Sequence, residues 1–267
     1  MKKTRYITIS LLVISLAVMS LRSFGLPFQE SLIFHPQKLQ KEHKYHYNAT
    51  ELFLKVEENI NLNALLFSKP ESTGLIIYFH GNAGNLNSWA EVQQDFKHLP
   101  YDFLIYDYRG YGKSDGKIKG EKSLHHDARM VYQEMKKQYE NRDIILYGRS
   151  IGTGIASQLA VTYPPKILIL ETPYYNFPDL VSTLYPFIPS FLVNYSLPND
   201  ENLKLLNCPI HLIHGTDDEL IPVDSSTRLA AVNHNISLHI IENAGHNNIS
   251  NFEKYHAVVA KIFSENH

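Results

Sequence analysis

Short apolar runs, most of them closed by a glycine, recur along this chain and leave few folds open to it. They are "GLIIYFHG" (Gly74–Gly81), "FLIYDYRG" (Phe103–Gly110), "DIILYG" (Asp143–Gly148), "ILILET" (Ile167–Thr172), "PIHLIHG" (Pro209–Gly215) and "SLHIIENAG" (Ser237–Gly245). Most are continuous in polarity, not alternating, as expected of parallel strands covered on both faces. Helix-like segments lie between them, at Trp89–His98, Gly120–Tyr139, Thr153–Thr162, Ser225–Val232 and Asn251–Ser264. This alternation predicts an α/β fold with a mostly parallel, doubly wound sheet and helices on both faces. The earlier stretch "ELFLKVEENINLNALLF" (Glu51–Phe67) alternates better and reads as an antiparallel hairpin at the sheet's edge. At 267 residues and 44% hydrophobic content the chain can bury the core of one large domain.

In open α/β sheets the reactive crevice lies beyond the carboxyl ends of the strands, so the informative residues are those that follow each strand. After "IILY" comes Gly148-Arg149-Ser150-Ile151-Gly152, and then a helix containing "GIASQLA". A serine between glycines at a strand–turn–helix junction is the setting of a nucleophile elbow. The turn is too sharp for bulk at its flanks, and it lifts the Ser150 hydroxyl above the sheet. A serine hydroxyl needs a base. His246, in "NAGHNN" after the last strand, is the candidate base, and "HGTDDELIP" after the preceding strand offers Asp217 or Asp218 as the acid that orients it. Donors for an oxyanion would be the backbone N–H of Ile151 and that of Asn82 in "HGNAGN".

Other features carry structural readings. "YDYRGYGKSDG" (Tyr106–Gly116) lacks the Gly-x-x-x-x-Gly-Lys-Ser/Thr spacing of a phosphate cradle, and its Asp107 and Arg109 are expected to pair and brace the site. His125 and His126 are expected on a solvated helix face, and His214 to hydrogen-bond locally. The lone Cys208 cannot form an internal disulfide and is expected to pack in the core. No metal-binding motif is present, and no cofactor is expected. A net charge of −2 with scattered basic residues argues against nucleic acid as a partner.

The N-terminus differs in kind. Lys2, Lys3 and Arg5 precede a run without charge from Tyr6 to Leu21. Residues 1–25 are expected to be a signal peptide or membrane anchor, with the domain of residues 26–267 secreted or anchored on the exported side.

The stretches "LIFHPQKL", "YFHGNAGN", "YDYRGYGKSDG", "YGRSIGTG", "HGTDDELIP" and "NAGHNN", in this order, resemble the α/β-hydrolase superfamily. More narrowly the chain resembles the membrane-anchored α/β-hydrolase-domain serine hydrolases, labelled serine aminopeptidase-like and related to depalmitoylating thioesterases. The resemblance implies a triad of Ser150, Asp218 and His246, an oxyanion hole at Asn82 and Ile151, and an N-terminal membrane segment. It selects Asp218 because Gly-x-x-Asp-x-x-Ile-Pro is the family's register. It also implies a cap insertion at about residues 173–207, where Phe177, Leu184, Tyr185, Phe187, Phe191 and Tyr195 suit a hydrophobic acyl substrate. The expected activity is hydrolysis of esters or thioesters through an acyl-enzyme. An aminopeptidase or amidase and a non-catalytic membrane-tethered binding protein are the alternatives.

Overall fold

The computed structural model describes residues 29–140 and 142–265, and the expected signal or anchor segment lies outside them. Eight strands form one sheet in the order β1-β2-β4-β3-β5-β6-β7-β8. They are β1 (Thr50–Glu57), β2 (Ile60–Phe67), β3 (Gly74–Phe79), β4 (Tyr101–Tyr106), β5 (Asp143–Arg149), β6 (Leu168–Glu171), β7 (Ile210–Gly215) and β8 (Ile236–Ile241). The β1–β2 and β2–β4 pairings are antiparallel, and every other pairing is parallel. The expected hairpin is therefore present, with β1 at the sheet's edge.

The unbroken apolar runs have a simple cause. Leu75, Ile77 and Phe79 of β3 enter one core, while Ile76 and Tyr78 enter another on the opposite face. In β5, Ile144 and Leu146 divide from Ile145 and Tyr147 in the same way. Side chains alternate along a strand, so a strand covered on both faces needs apolar residues at every position.

The helices, in chain order, are α1 (Leu86–Trp89), α2 (Glu121–Gln138), α3 (Gly152–Thr162), α4 (Phe177–Leu184), α5 (Asn199–Lys204), α6 (Asp224–Ala230) and α7 (Glu253–Glu265). Leu124, Ala128, Val131 and Met135 form the buried stripe of α2, at spacings that keep one helical face on the core. Glu121 in its first turn and Lys136 and Lys137 in its last complement the helix dipole. On the other face α7 buries Tyr255, Val259, Ile262 and Phe263. Among the described residues no helix is long and apolar enough to cross a membrane.

Some expectations change. The segment expected as one helix from Trp89 to His98 is instead α1 followed by a 3₁₀ helix, Ala90–Phe96. The Asn85 side chain accepts a hydrogen bond from the Asn87 N–H and starts the helix early. Three residues per turn then put Ala90 and Phe96 on one buried face. Asp107 and Arg109 do not pair. Arg109 makes a two-point contact with Asp127 of α2, at 2.7 and 2.6 Å, and reaches Glu57 at 2.6 Å. Asp107 instead lies under the loop that follows β3. His125 and His126 are half-buried, because β1 packs against α2. His125 meets Glu121 at 3.0 Å, and His126 Nε2 donates to the Val56 carbonyl at 3.0 Å. Cys208 is half-buried against the core, as expected, and burial raises its thiol pKa.

Candidate active site

The close of β5 forces an unusual backbone. Ser150 has φ +53°, a left-handed conformation rare outside glycine. Its N–H donates to the Glu171 carbonyl at 3.0 Å, and its own carbonyl accepts from the Thr153 N–H at 3.0 Å and the Thr153 hydroxyl at 2.6 Å. The flanking glycines are dictated by space. A Cβ at Gly148 would lie 2.6 Å from the Gly152 carbonyl oxygen, and one at Gly152 would lie 2.1 Å from that of Phe79. No side chain fits at either position. The serine is thereby held between strand and helix, with Ile151 capping α3 next to it.

Loops from the ends of β7 and β8 reach this serine. His246 Nε2 lies 3.0 Å from Ser150 Oγ, and His246 Nδ1 lies 2.8 Å from Asp218 Oδ2. A carboxylate opposite Nδ1 assigns the proton to that nitrogen and leaves Nε2 as an acceptor for the serine hydroxyl. Asp218 Oδ1 accepts from the backbone N–H groups of Leu220 at 2.9 Å and Ile221 at 2.8 Å. Burial pushes the Asp218 carboxyl up, but hydrogen bonds from His214 and His246, the charge on His246 and the Ile221 N–H outweigh it. The net result is a carboxyl held well below the usual carboxylate range. Asp217 accepts from the Thr216 hydroxyl at 2.8 Å.

Asn82 follows β3 on a loop that presses against the serine, for a Cβ at Gly81 would stand 3.5 Å from Ser150 Cβ. The Asn82 side chain is occupied. Its oxygen accepts from the His35 N–H, the Ala83 N–H and the Tyr111 hydroxyl, and its nitrogen donates to the Ile33 carbonyl. Ala83 and Gly84 both have positive φ, which turns the loop back, and the Trp89 indole N–H donates to the Ala83 carbonyl at 2.8 Å.

Three contributors have roles at this site that the sequence reading did not assign. Arg149 donates to the His246 carbonyl at 2.9 Å and pairs with Glu171 at 3.0 Å, so it ties the histidine loop to β6. Its signal is a charge beside the serine, matched by Glu171 closing an otherwise apolar strand. The connector ahead of β1 is the second. The Gln37 N–H donates to the Gly84 carbonyl at 3.1 Å, and Asn85 Nδ2 donates to the Gln37 carbonyl at 2.9 Å, so "LIFHPQKL" straps the Asn82 loop in place.

His214 is the third. Fully buried, it bonds locally as expected, but its Nε2 also lies 3.2 Å from Asp218 Oδ2, besides the Ile221 carbonyl at 2.8 Å. Two acceptors at Nε2 place the proton there, so Nδ1 accepts from the Ser226 hydroxyl at 2.7 Å. Removing a donor to a charged acceptor costs about 1.5–3 kcal/mol. His214→Ala is therefore expected to lower kcat by about tenfold with KM within about twofold. His214→Gln, whose amide can still donate, should recover part of the loss. Steady-state kinetics on a soluble ester, with thermal melts to confirm folding, checks this.

Asp107, under the Asn82 loop, accepts from the Leu86 N–H at 3.2 Å, and its other oxygen faces His80 Nε2 at 3.6 Å. Burial lifts its pKa from 3.8 to about 8, against the pull of the Leu86 N–H and Lys38. Burial lowers that of His80 to about 4, so both are neutral near pH 7. A carboxyl whose folded pKa exceeds its unfolded value holds its proton more tightly in the folded state. Its contribution to stability therefore falls as pH rises from about 4 to about 8. Asp107→Asn lacks that loss. The melting temperature of the variant relative to the parent is expected to rise between pH 5 and pH 8, and a constant difference would refute the assignment.

A mostly parallel eight-stranded sheet of this order, with helices on both faces, defines an α/β-hydrolase. The model of the family described as "Serine aminopeptidase, S33" matches residues 70–206, just over half of the chain, and the chain belongs to that family of hydrolases. An uncharacterized protein of Acanthamoeba polyphaga mimivirus is 29% identical over 82% of this chain and 82% of its own length. The lysophosphatidylserine lipase ABHD12 of Macaca fascicularis is 30% identical over 60% of this chain, and the match spans only 46% of the lipase. Among solved structures, the esterase Pf2001 of Pyrococcus furiosus superposes with a TM-score of 0.69 at 20% identity, covering 87% of this chain and 97% of the esterase. Est1E of Butyrivibrio proteoclasticus gives 0.67 at 19% identity, covering 81% and 98%. At these identities the structural matches speak to the fold alone.

Proposed function

We propose that this chain is a serine hydrolase that cleaves carboxylic esters or thioesters of hydrophobic acyl groups through an acyl-enzyme. The observation that carries the reading is the placement of His246, 3.0 Å from the Ser150 hydroxyl and 2.8 Å from the Asp218 carboxylate. His246 Nε2 takes the proton as Ser150 Oγ attacks the acyl carbonyl, and Asp218 stabilises the imidazolium that forms. The backbone N–H groups of Ile151 and Asn82 receive the oxyanion. One such donor is worth about 3–4 kcal/mol in related chemistry. His246 returns the proton to the leaving alcohol or thiol, then deprotonates a water that releases the acid and frees Ser150.

The lipase name carried by a relative supports an ester over an amide, and the aromatic stretch between β6 and β7 supports an apolar acyl chain. The family's printed label favours the alternative, an aminopeptidase. An exopeptidase needs a carboxylate for the substrate amine, yet Glu171 is committed to Arg149 and Asp218 to His246 and His214. The reading includes a membrane tether through the uncharged run Tyr6–Leu21, with the hydrolase domain on the exported side, supported by the basic residues that precede the run.

A panel of p-nitrophenyl esters of increasing acyl length, set beside aminoacyl anilides and an acyl thioester, tests the reaction. Turnover of esters or thioesters that improves with chain length is expected. Turnover of anilides alone would establish the aminopeptidase instead, and inertness toward the whole panel would favour the non-catalytic binding protein.

A further inference from the structure

The stretch between α4 and α5 gathers exposed aromatic side chains close together in the sequence. Phe187 is 80% exposed, Phe191 51% and Tyr185 50%, with Leu184 at the end of α4 also exposed. From Leu180 to Asn199 no Asp, Glu, Lys or Arg interrupts the sequence. Tyr185 and Phe187 meet edge to face at 6.2 Å, so the rings form one patch. A side chain four-fifths exposed contributes almost nothing to the core, and clustered exposed aromatics mark an interaction surface.

Its partner is indicated by where the chain enters the fold. Residues 29–33 form a helical turn held against this same stretch. Gln29 Nε2 donates to the Leu192 carbonyl at 2.7 Å, Gln29 Oε1 accepts from the Asn194 N–H at 2.9 Å, and the Tyr195 hydroxyl donates to Glu30 at 2.9 Å. Leu32 on that turn is 60% exposed. Leu21 ends the uncharged run, and the eight residues from it to Gln29 span at most about 30 Å. Whatever holds the run Tyr6–Leu21 therefore lies within reach of the aromatic patch.

We infer that the loop from Leu184 to Phe191 docks into the surface of a lipid bilayer. It is a second membrane contact, set by the chain entry next to the first. Tyr185 suits the interfacial layer, where its apolar ring and polar tip find separate environments, and Phe187 and Phe191 suit the acyl boundary beneath it. The loop has no charge to desolvate, and its Pro186 and Pro189 limit the conformational freedom lost on docking. The inference rests on the tether proposed above, but not on the chemistry assigned to Ser150.

The test uses the full chain in phosphatidylcholine vesicles, in a Cys208→Ser background. Nitroxide labels are placed one at a time through Phe187→Cys, Tyr185→Cys, Ile14→Cys and, on the far edge strand β1, Phe53→Cys. Oxygen partitions into lipid and a nickel chelate into water, so their collision rates with each label report its depth. The ratio of oxygen to nickel collisions at 187 and 185 is expected to exceed that at Phe53→Cys by at least fivefold, with Ile14→Cys higher still. Labels at 187 and 185 that read like the one at 53, while Ile14→Cys reads as lipid, would overturn the docking and leave the tether standing. Aqueous values at Ile14→Cys would overturn both. Distance-dependent broadening between labels at 187 would assign the patch to a second copy of the chain, again overturning the inference.

Discussion

Ser150→Ala is expected to abolish labelling by a fluorophosphonate and to lower ester hydrolysis by at least about 10⁴-fold, the scale on which nucleophile deletions act. The size follows from the site's construction. In the proposed reaction His246 Nε2, 3.0 Å from Ser150 Oγ, takes the serine proton, and without the hydroxyl no acyl-enzyme would form. The substitution should leave the fold intact. Alanine accepts the φ of +53° no less well than serine, and the hydrogen bonds at this residue are made by its backbone. A melting temperature close to the parent's, with activity at background, is the expected pair of results. A variant that still reacts with the probe would remove Ser150 from the reaction.

Asp218→Asn should cost nearly as much, about 10⁴-fold in kcat, for a different reason. Both backbone N–H groups that anchor this side chain, from Leu220 and Ile221, point at Oδ1. An asparagine keeps its oxygen there and turns its NH₂ toward His246 Nδ1. The imidazole must then carry its proton on Nε2, facing Ser150, where it can no longer accept one. The amide also faces His214 Nε2, donor to donor, so that ring must give up its own tautomer. Asp217→Asn is the control. Its exposed carboxylate accepts from the Thr216 hydroxyl, and activity within about threefold of the parent is expected, the usual reach of a surface change. Kinetics of the two variants side by side decide which aspartate is the acid, and a collapse at Asp217 alone would reverse the choice.

Much of this architecture can be read from the amino acids because it is written locally. A strand with both faces covered must be apolar at each position, and a turn with no room for a Cβ must be glycine at Gly148 and Gly152. Ser150, Asp218 and His246 stand in the turn and loops that follow the ends of β5, β7 and β8, where a parallel sheet gathers its loops. The illegible parts depend on side-chain direction. Arg109 and Asp107 are two residues apart and looked like partners, yet one turns toward α2 and the other under the Asn82 loop. His214 reads as one histidine among 14, and only the folded loop brings its ring to the carboxylate that also holds His246. The 3₁₀ winding of Ala90–Phe96 is set by the core it must meet, and no periodicity in so short a segment announces it.

The left-handed backbone at Ser150 has a consequence of its own. A non-glycine residue in that conformation carries a penalty of about 1–3 kcal/mol, which glycine would largely escape. Glycine would relieve that cost and alanine would not, so any gain in stability at this position is tied to loss of the whole side chain. The residue proposed as nucleophile thus carries a backbone cost that a glycine in the same turn would not.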